Sequence, residues 1–378
     1  MPKQAIIHPS IERVDIIETP IPEPGAKEVV IKTVVAGANP KDWKFSLWEE
    51  WAQSDALDPE IKSQVPPSPG AHNSGDDVAG IIYSVGADVS EFKTGDRVAA
   101  MHVTITENGG YAEYTVAPAY LTFHIPQHVS FEEAATMPTA ALTAALALYS
   151  DLRVPTPYDS QHIRDKCKNV PFLVYGATTS IGAFGAKLAR LSGFYPIIGV
   201  AGRAGEFANT LVDYVIDYRI GEDAVVQAVE GILKKEQLGG KVPYILDAIS
   251  EHGSLETTLR LVDPNGTISV MLPPKLFARD PKNFEYPAGV TAINAATPQV
   301  LSTHKDFAYL WSRYFAKLLE DGRLKAHPYE VVPGGLDGVL TGLRNLRDGK
   351  NSGFKYVFRI KETDLTKGPR THTAKSST

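Results

Sequence analysis

The sequence predicts an α/β protein in two parts: a mostly antiparallel β domain and a second domain built on a doubly wound parallel sheet. Three observations predict it. Roughly the first 125 residues are short alternating apolar runs broken by Pro and Gly. From Val170 to about residue 293, strand-like runs alternate with helical stretches, the rhythm of βαβ units and a parallel sheet covered on both faces. At 378 residues, the chain is long enough for two domains of ordinary size.

The elements follow in order. "AIIHPSIERVDIIETPIPEPGAKEVVIKTVVAGANP" holds several short strands. "VAGIIYSVGADVSEFKTGDRVAAM" continues them, with turns at Gly86 to Asp88 and Thr94 to Asp96, and "GGYAEYTVAP" adds another. The stretch 46–74 starts helix-like and turns Pro-rich; it reads as a surface excursion and a candidate lid. Ser130 with Glu133 three residues on predicts a capping box at the start of a helical stretch rich in Ala and Leu. "VPTPYDSQHIRDKCKN" reads as a polar linker. The parallel sheet should use "PFLVYG", "YPIIGVAG", "DYVIDY", "PYILDAIS" and "GTISVM". "KDFAYLWSRYFAKLLEDGRLK" predicts an amphipathic helix ended by Asp-Gly, and "KYVFRI" a last strand returning to the first domain. The polar end, "KETDLTKGPRTHTAKSST", reads as a frayed tail. The expected boundaries are 1–148 and 300–378 for the first domain and 149–299 for the second.

Composition narrows the function. The chain is 43% hydrophobic and 22% charged, with a net charge of -6 and both signs scattered. No basic stripe points to nucleic acid. The single cysteine, Cys167, leaves no disulfide framework and no Cys-rich zinc lobe. No run of about 18 apolar residues and no signal-peptide pattern is present, so a cytoplasmic protein without a membrane span is expected. His8, His72, His102, His124 and His128 lack metal spacing, and no Gly-x-Ser-x-Gly elbow supports a hydrolase.

"FLVYGATTSIGAFGAKLARLSG", from Phe172 to Gly193, has the shape of strand, tight turn and helix. Helix N-termini offer unpaired N–H groups and a positive dipole end to phosphate. Gly182 matches the third glycine of the dinucleotide fingerprint, while Ala177 and Thr179 replace the first two. The Thr179 hydroxyl can donate to a phosphate oxygen, or its bulk can push the cofactor outwards. The next strand ends in Gly202-Arg203 rather than an acid, and a guanidinium suits a 2′-phosphate. NADPH is therefore expected over NADH.

These stretches, with "GANPKDWK" at 37–44, "SGDDVAGIIYSVGADVSEFKTGDRVAA" at 74–100, "GGYAEY" at 109–114, "VIDYR" at 215–219 and "VVPGGLDGVLTGLRNLRDGKNSGFKYVFRI" at 331–360, resemble the medium-chain dehydrogenase/reductase superfamily. The likeness is to its zinc-free quinone/enoyl reductase branch, above all the fungal trans-acting enoyl reductases of polyketide pathways. The resemblance implies a GroES-like first domain, a Rossmann second domain and a cleft between them. Zinc-dependent relatives carry a Cys near "NPKDWK" and Gly-His-Glu near 75–77; here Gly75, Asp76 and Asp77 stand, with no Cys, so no catalytic zinc is expected.

By resemblance, the cofactor contacts are Asp42, Lys44, the turn of Gly176, Ala177, Thr178, Thr179, Ser180, Ile181 and Gly182, then Arg203, Tyr218, Asn351, Ser352 and Gly353. The catalytic candidates are Lys44, which can hold the cofactor ribose, polarise the substrate carbonyl or relay a proton, and Thr143 at the pocket. Tyr111 and Trp43 read as packing. The function expected is NADPH-dependent reduction of an activated C=C bond in an enone, enal, enoyl compound or quinone. Two alternatives stand beside it: a trans-acting enoyl reductase partnering a polyketide synthase, and a non-catalytic NADPH-binding protein. Monomer and homodimer both remain open.

Overall fold

The structure is a computed structural model and describes residues 1–44, 70–295 and 297–374. Most of the 46–74 excursion, and with it the candidate lid, lies outside the described residues. The chain forms two units, Met1–Thr139 with Pro298–Thr378, and Ala140–Thr297.

The first unit opens with a hairpin, β1 (Lys3–Ile7) against β2 (Arg13–Glu18), in which alternate side chains are buried. A larger sheet follows from β3 (Glu28–Gly37), β4 (Asp77–Val85), β5 (Arg97–Met101), β6 (Tyr114–Pro118) and β7 (Thr122–His124). β3 lies at its middle and pairs antiparallel with both β4 and β6. The register sets Gly37 opposite Asp77, so the chain leaving β3 runs beside the start of β4. The capping box at Ser130 and Glu133 forms as the sequence predicts.

The second unit holds β8 (Lys168–Tyr175), β9 (Tyr195–Ala201), β10 (Tyr214–Asp217), β11 (Val242–Asp247), β12 (Val262–Val270) and β13 (Thr291–Asn294). Their order is β10-β9-β8-β11-β12-β13, and every pair is parallel. The chain runs outward from β8 to β10, then returns to place β11 on the other side of β8. The crevice at such a reversal is where open α/β sheets bind ligands. Leu173, Ile198 and Ile245 on the strands pack with Val225, Val229 and Leu233 of the helix Glu222–Lys235. Each side chain of that size contributes about 1.5–3 kcal/mol when fully buried. That helix carries acids in its first turn and lysines in its last, as its dipole favours.

The chain then returns to the first unit with β14 (Tyr329–Val331), β15 (Lys355–Arg359) and β16 (Arg370–Thr373). β15 pairs with β3, as expected for "KYVFRI". The frayed-tail expectation is corrected: β16 pairs antiparallel with β2, from Arg370 beside Ile16 to Thr373 beside Arg13. Polar contacts hold it where apolar burial does not. Arg370 donates to both oxygens of Asp337, at 2.5 and 2.6 Å, and Thr371 donates to Asp15 at 2.6 Å. No described helix is long and apolar enough to cross a membrane.

Candidate functional site

In the second unit, the C-terminal ends of neighbouring strands gather most of the predicted cofactor residues. After β8, Gly176 adopts a left-handed conformation, φ +80°, and a Cβ there would stand 2.7 Å from the Ile249 side chain. The N–H groups of Gly176 and Ala177 both donate to the Val200 carbonyl at 2.9 Å, which ties the turn to β9. Thr179 is the N-cap of the helix Ser180–Leu191. Its hydroxyl donates to the Gly176 carbonyl at 2.9 Å and accepts from the Gly182 N–H at 3.1 Å. The one hydroxyl hydrogen of Thr179 is thus used inside the turn.

What the turn presents instead is backbone. The N–H groups of Ser180 and Ile181 have no acceptor within the helix, and residues 178–181 are partly exposed. Gly182 does the work its position implies: a Cβ there would lie within contact-forbidden distance of the Gly176 carbonyl oxygen. A turn closed by glycines at a helix N-terminus fits the diphosphate of a dinucleotide.

Arg203 is exposed just beyond β9. The pairing of Asp217 with Ala201 brings Tyr218 alongside Gly202, the residue before Arg203. A Cβ on Gly202 would meet the Tyr218 ring at 2.5 Å, so that ring lies against bare backbone, half-exposed. The Gly176 turn, Arg203 and Tyr218 thus stand at the ends of β8, β9 and β10. Sequence reasoning missed Asp247, at the end of β11. It is fully buried and accepts from the N–H groups of Ile249 and Ser250, at 3.0 and 2.9 Å, and from the Ser254 hydroxyl at 2.9 Å. Burial pushes its carboxyl up to about 6, against the pull of those donors. Asp247 orders the loop that sets Ile249 against Gly176. An acid closing the apolar run "YIL" was the signal for it.

In the first unit, Lys44 ends the short helix Pro40–Lys44, its ammonium 5.7 Å from the centre of the Trp43 ring. Asp42, assigned by resemblance to the cofactor, faces the interior. Its carboxylate is wholly buried and accepts from the Asn39 N–H at 2.8 Å, the Tyr111 hydroxyl at 2.6 Å and the Lys41 ammonium at 2.7 Å. Tyr111 is buried too, and burial beside Asp42 pushes its phenol well above the ordinary value.

Asp42 belongs to a larger buried charge cluster. Lys41 also reaches Asp76 at 2.9 Å and the Ser74 carbonyl at 2.8 Å. Burial disfavours its charge, but the carboxylates of Asp42 and Asp76 outweigh that and hold the ammonium above the ordinary lysine value. Next to it, Asp77 takes the Lys355 ammonium on one oxygen, and the Thr139 N–H and hydroxyl on the other at 2.8 and 2.6 Å. Asn39 bridges, accepting from Lys355 at 2.9 Å and donating to Asp77 at 3.0 Å.

Asn351, Ser352 and Gly353 form the turn between the helix Val339–Arg347 and β15. Trp43 and Phe354 pack against one apolar cluster that includes Leu343 and Phe358, so the helix bearing Lys44 and this turn share a foundation. Thr143 lies in the second unit on the helix Pro138–Ala145 and is 3% exposed. No group of three or more His, Cys, Asp or Glu side chains able to hold a metal occurs among the described residues.

A family model described as the alcohol dehydrogenase GroES-like domain matches residues 25–127. The chain is 40% identical over 341 residues to "Trans-enoyl reductase fsr4" of Gibberella fujikuroi, covering 88% of this chain and 91% of that one. It is 31% identical to "Trans-enoyl reductase resD" of Aspergillus sclerotiorum, covering 94% and 100%. Among solved structures, the fold is similar to the CurK enoyl reductase, with a TM-score of 0.72, 19% identity and 94% and 98% of the two chains covered. The quinone oxidoreductase from Coxiella burnetii is similar as well, with a TM-score of 0.69, 19% identity and 95% and 99% covered.

Proposed function

The chain belongs to the trans-enoyl reductases of the medium-chain dehydrogenase/reductase superfamily, and from that premise we propose that it is an NADPH-dependent, zinc-independent reductase of activated C=C bonds. The observation that carries this reading is the row of strand ends in the second unit. The glycine-closed turn faces a diphosphate with backbone N–H groups, Arg203 offers a guanidinium to a 2′-phosphate, and Tyr218 supplies a ring for the adenosine.

When bound, NADPH supplies a hydride to the β carbon of the conjugated substrate. Lys44 is the side chain assigned to the reaction centre. Its ammonium holds a ribose hydroxyl or the developing enolate oxygen, and either role needs a fixed donor where negative charge grows. Asn351, Ser352 and Gly353 close the nicotinamide side, and Thr143, buried as it is, is assigned to the pocket wall. Independence from zinc is supported by the chemistry of the residues at 39–42 and 75–77. The carboxylates of Asp42 and Asp76 already hold an ammonium, and Asp77 holds a second one. The small-molecule substrate carries a conjugated double bond. In the trans-acting form of the reading, it arrives on a polyketide synthase.

The test is a fluorescence titration with NADPH and NADH, for the unmodified protein and Arg203→Ala, followed by a small enone, a quinone and an enoyl thioester. We expect NADPH to bind more tightly than NADH. Arg203→Ala should lose about tenfold for NADPH alone, and NADPH should be consumed on adding acceptor. Turnover of the thioester only would favour the carrier-bound substrate. Binding without turnover of any acceptor would sink the enzyme reading in favour of a non-catalytic NADPH-binding protein.

A further inference from the structure

We propose that Lys41 is a positioning residue, whose ammonium clamps the helix bearing Lys44 onto the segment that leads into β4. This rests on the reading that places Lys44 at the reaction centre. The need for a clamp comes from the helix itself. Pro40–Lys44 is five residues long, and isolated helices below about 12–15 residues are marginal in water. One face of it is anchored by Trp43 on the apolar cluster. Its first turn is closed by the Asp42 carboxylate, which reaches back to the Asn39 N–H. Asn39 itself donates to Asp77 at the start of β4, but neither contact of the helix reaches the segment just before it.

Lys41 supplies that tie. Its ammonium contacts Asp42 within the helix, and Asp76 and the Ser74 carbonyl across the chain. An ammonium has three hydrogens, and acceptors among the described residues already number three. None remains for a substrate, so Lys41 acts through the placement of its helix and not on the reacting atoms. The geometry also explains why the charge is needed. Asp42 and Asp76 are both fully buried, and without the ammonium their carboxylates would face each other uncompensated. Asp76 also accepts from the Thr104 hydroxyl, on the same oxygen that takes the Lys41 ammonium.

Lys41→Met alone leaves two uncompensated buried carboxylates and can simply fail to fold. The decisive variant is therefore Lys41→Met with Asp76→Asn, which removes one charge of each sign, with Asp76→Asn alone as the control. Two readouts are taken on the full chain. Hydrogen exchange of the peptide covering residues 38–44 should quicken at least tenfold in the double variant, with β5 unchanged. In a mutant cycle, the double variant should lower kcat/KM for NADPH and an enoyl acceptor about tenfold. In a Lys44→Ala background, the same change should cost less than twofold, because its effect passes through Lys44. Additive losses, or unchanged exchange over 38–44, would overturn the clamp. If the unmodified protein reduces no acceptor, the proposed function falls, and the exchange arm alone then upholds or overturns the clamp.

Discussion

Two helix starts lie at the residues assigned to function, and they are built in opposite ways. The helix Ser180–Leu191 begins on glycines and one neutral hydroxyl, with no charged side chain in the turn. The helix Pro40–Lys44 begins inside a cluster of three carboxylates and two ammonium groups. The first leaves backbone N–H groups for a ligand and depends on the absence of side-chain bulk. The second depends on charge balance among buried side chains. One is sensitive to volume and the other to ionisation, so substitutions should separate them.

The largest effect is expected in the charge cluster. Lys355→Met removes the ammonium from Asp77 in a pair that is almost wholly buried. It should cost about 3–5 kcal/mol, read as a lower midpoint in urea unfolding. Recovery of most of that loss on adding Asp77→Asn would confirm charge as the cause; no recovery would point to packing. Next is Asp247, the buried acid whose loop sets Ile249 against the glycine turn. Its folded value is about 6 against an ordinary 3.8. Between those values the folded state binds more protons than the unfolded one, so stability falls as pH rises through that window. By pH 7 the deficit is about 3 kcal/mol at most. Asp247→Asn should therefore gain on the unmodified protein between pH 4 and pH 7 in paired urea titrations. A pH-independent difference would remove Asp247 from this account.

Smaller effects are expected at the turn. Gly182→Ala drives a methyl against the Gly176 carbonyl and should destabilise by about 1–3 kcal/mol. It should also weaken NADPH binding at least tenfold, since the helix N-terminus must move. Unchanged binding would show that the turn is not where the nucleotide sits. Thr179→Ala removes an N-cap and should lower stability by about 1 kcal/mol. Because the hydroxyl is used internally, NADPH affinity should change little; a tenfold loss measured by fluorescence would show that it serves the phosphate instead.

The same contrast governs what the sequence made legible. Local grammar was readable: the strand–glycine–helix turn, the capping box at Ser130, and the alternation that predicts the parallel sheet. Gly182 could be placed because its constraint lies six residues away, at Gly176. The charge cluster could not, because its partners are remote in sequence. Asp42 meets Tyr111 69 positions on, and Lys355 meets Asp77 across 278. A hint existed in Lys355, a lysine placed directly before the apolar run "YVF", since a buried lysine requires a partner. β16 was missed for a different reason. Its composition is that of a tail, and what holds it against β2 is the backbone pairing together with polar contacts to residues remote in sequence, Arg370 and His372 to Asp337 and Thr371 to Asp15.

The pairing of β15 with β3 has a consequence for how the chain is made. Val357 sits opposite Gly37, so that edge of β3 stays without its partner while some 320 residues of intervening chain are synthesised. At about 5–20 residues per second, the wait is roughly 20–60 s. The inserted unit is complete well before then, with each of its strands paired within 140–297. During translation the open flank of β3 is a template for the wrong strand, and the nascent protein has a long interval in which a chaperone holding that flank would matter more than one acting on the finished chain.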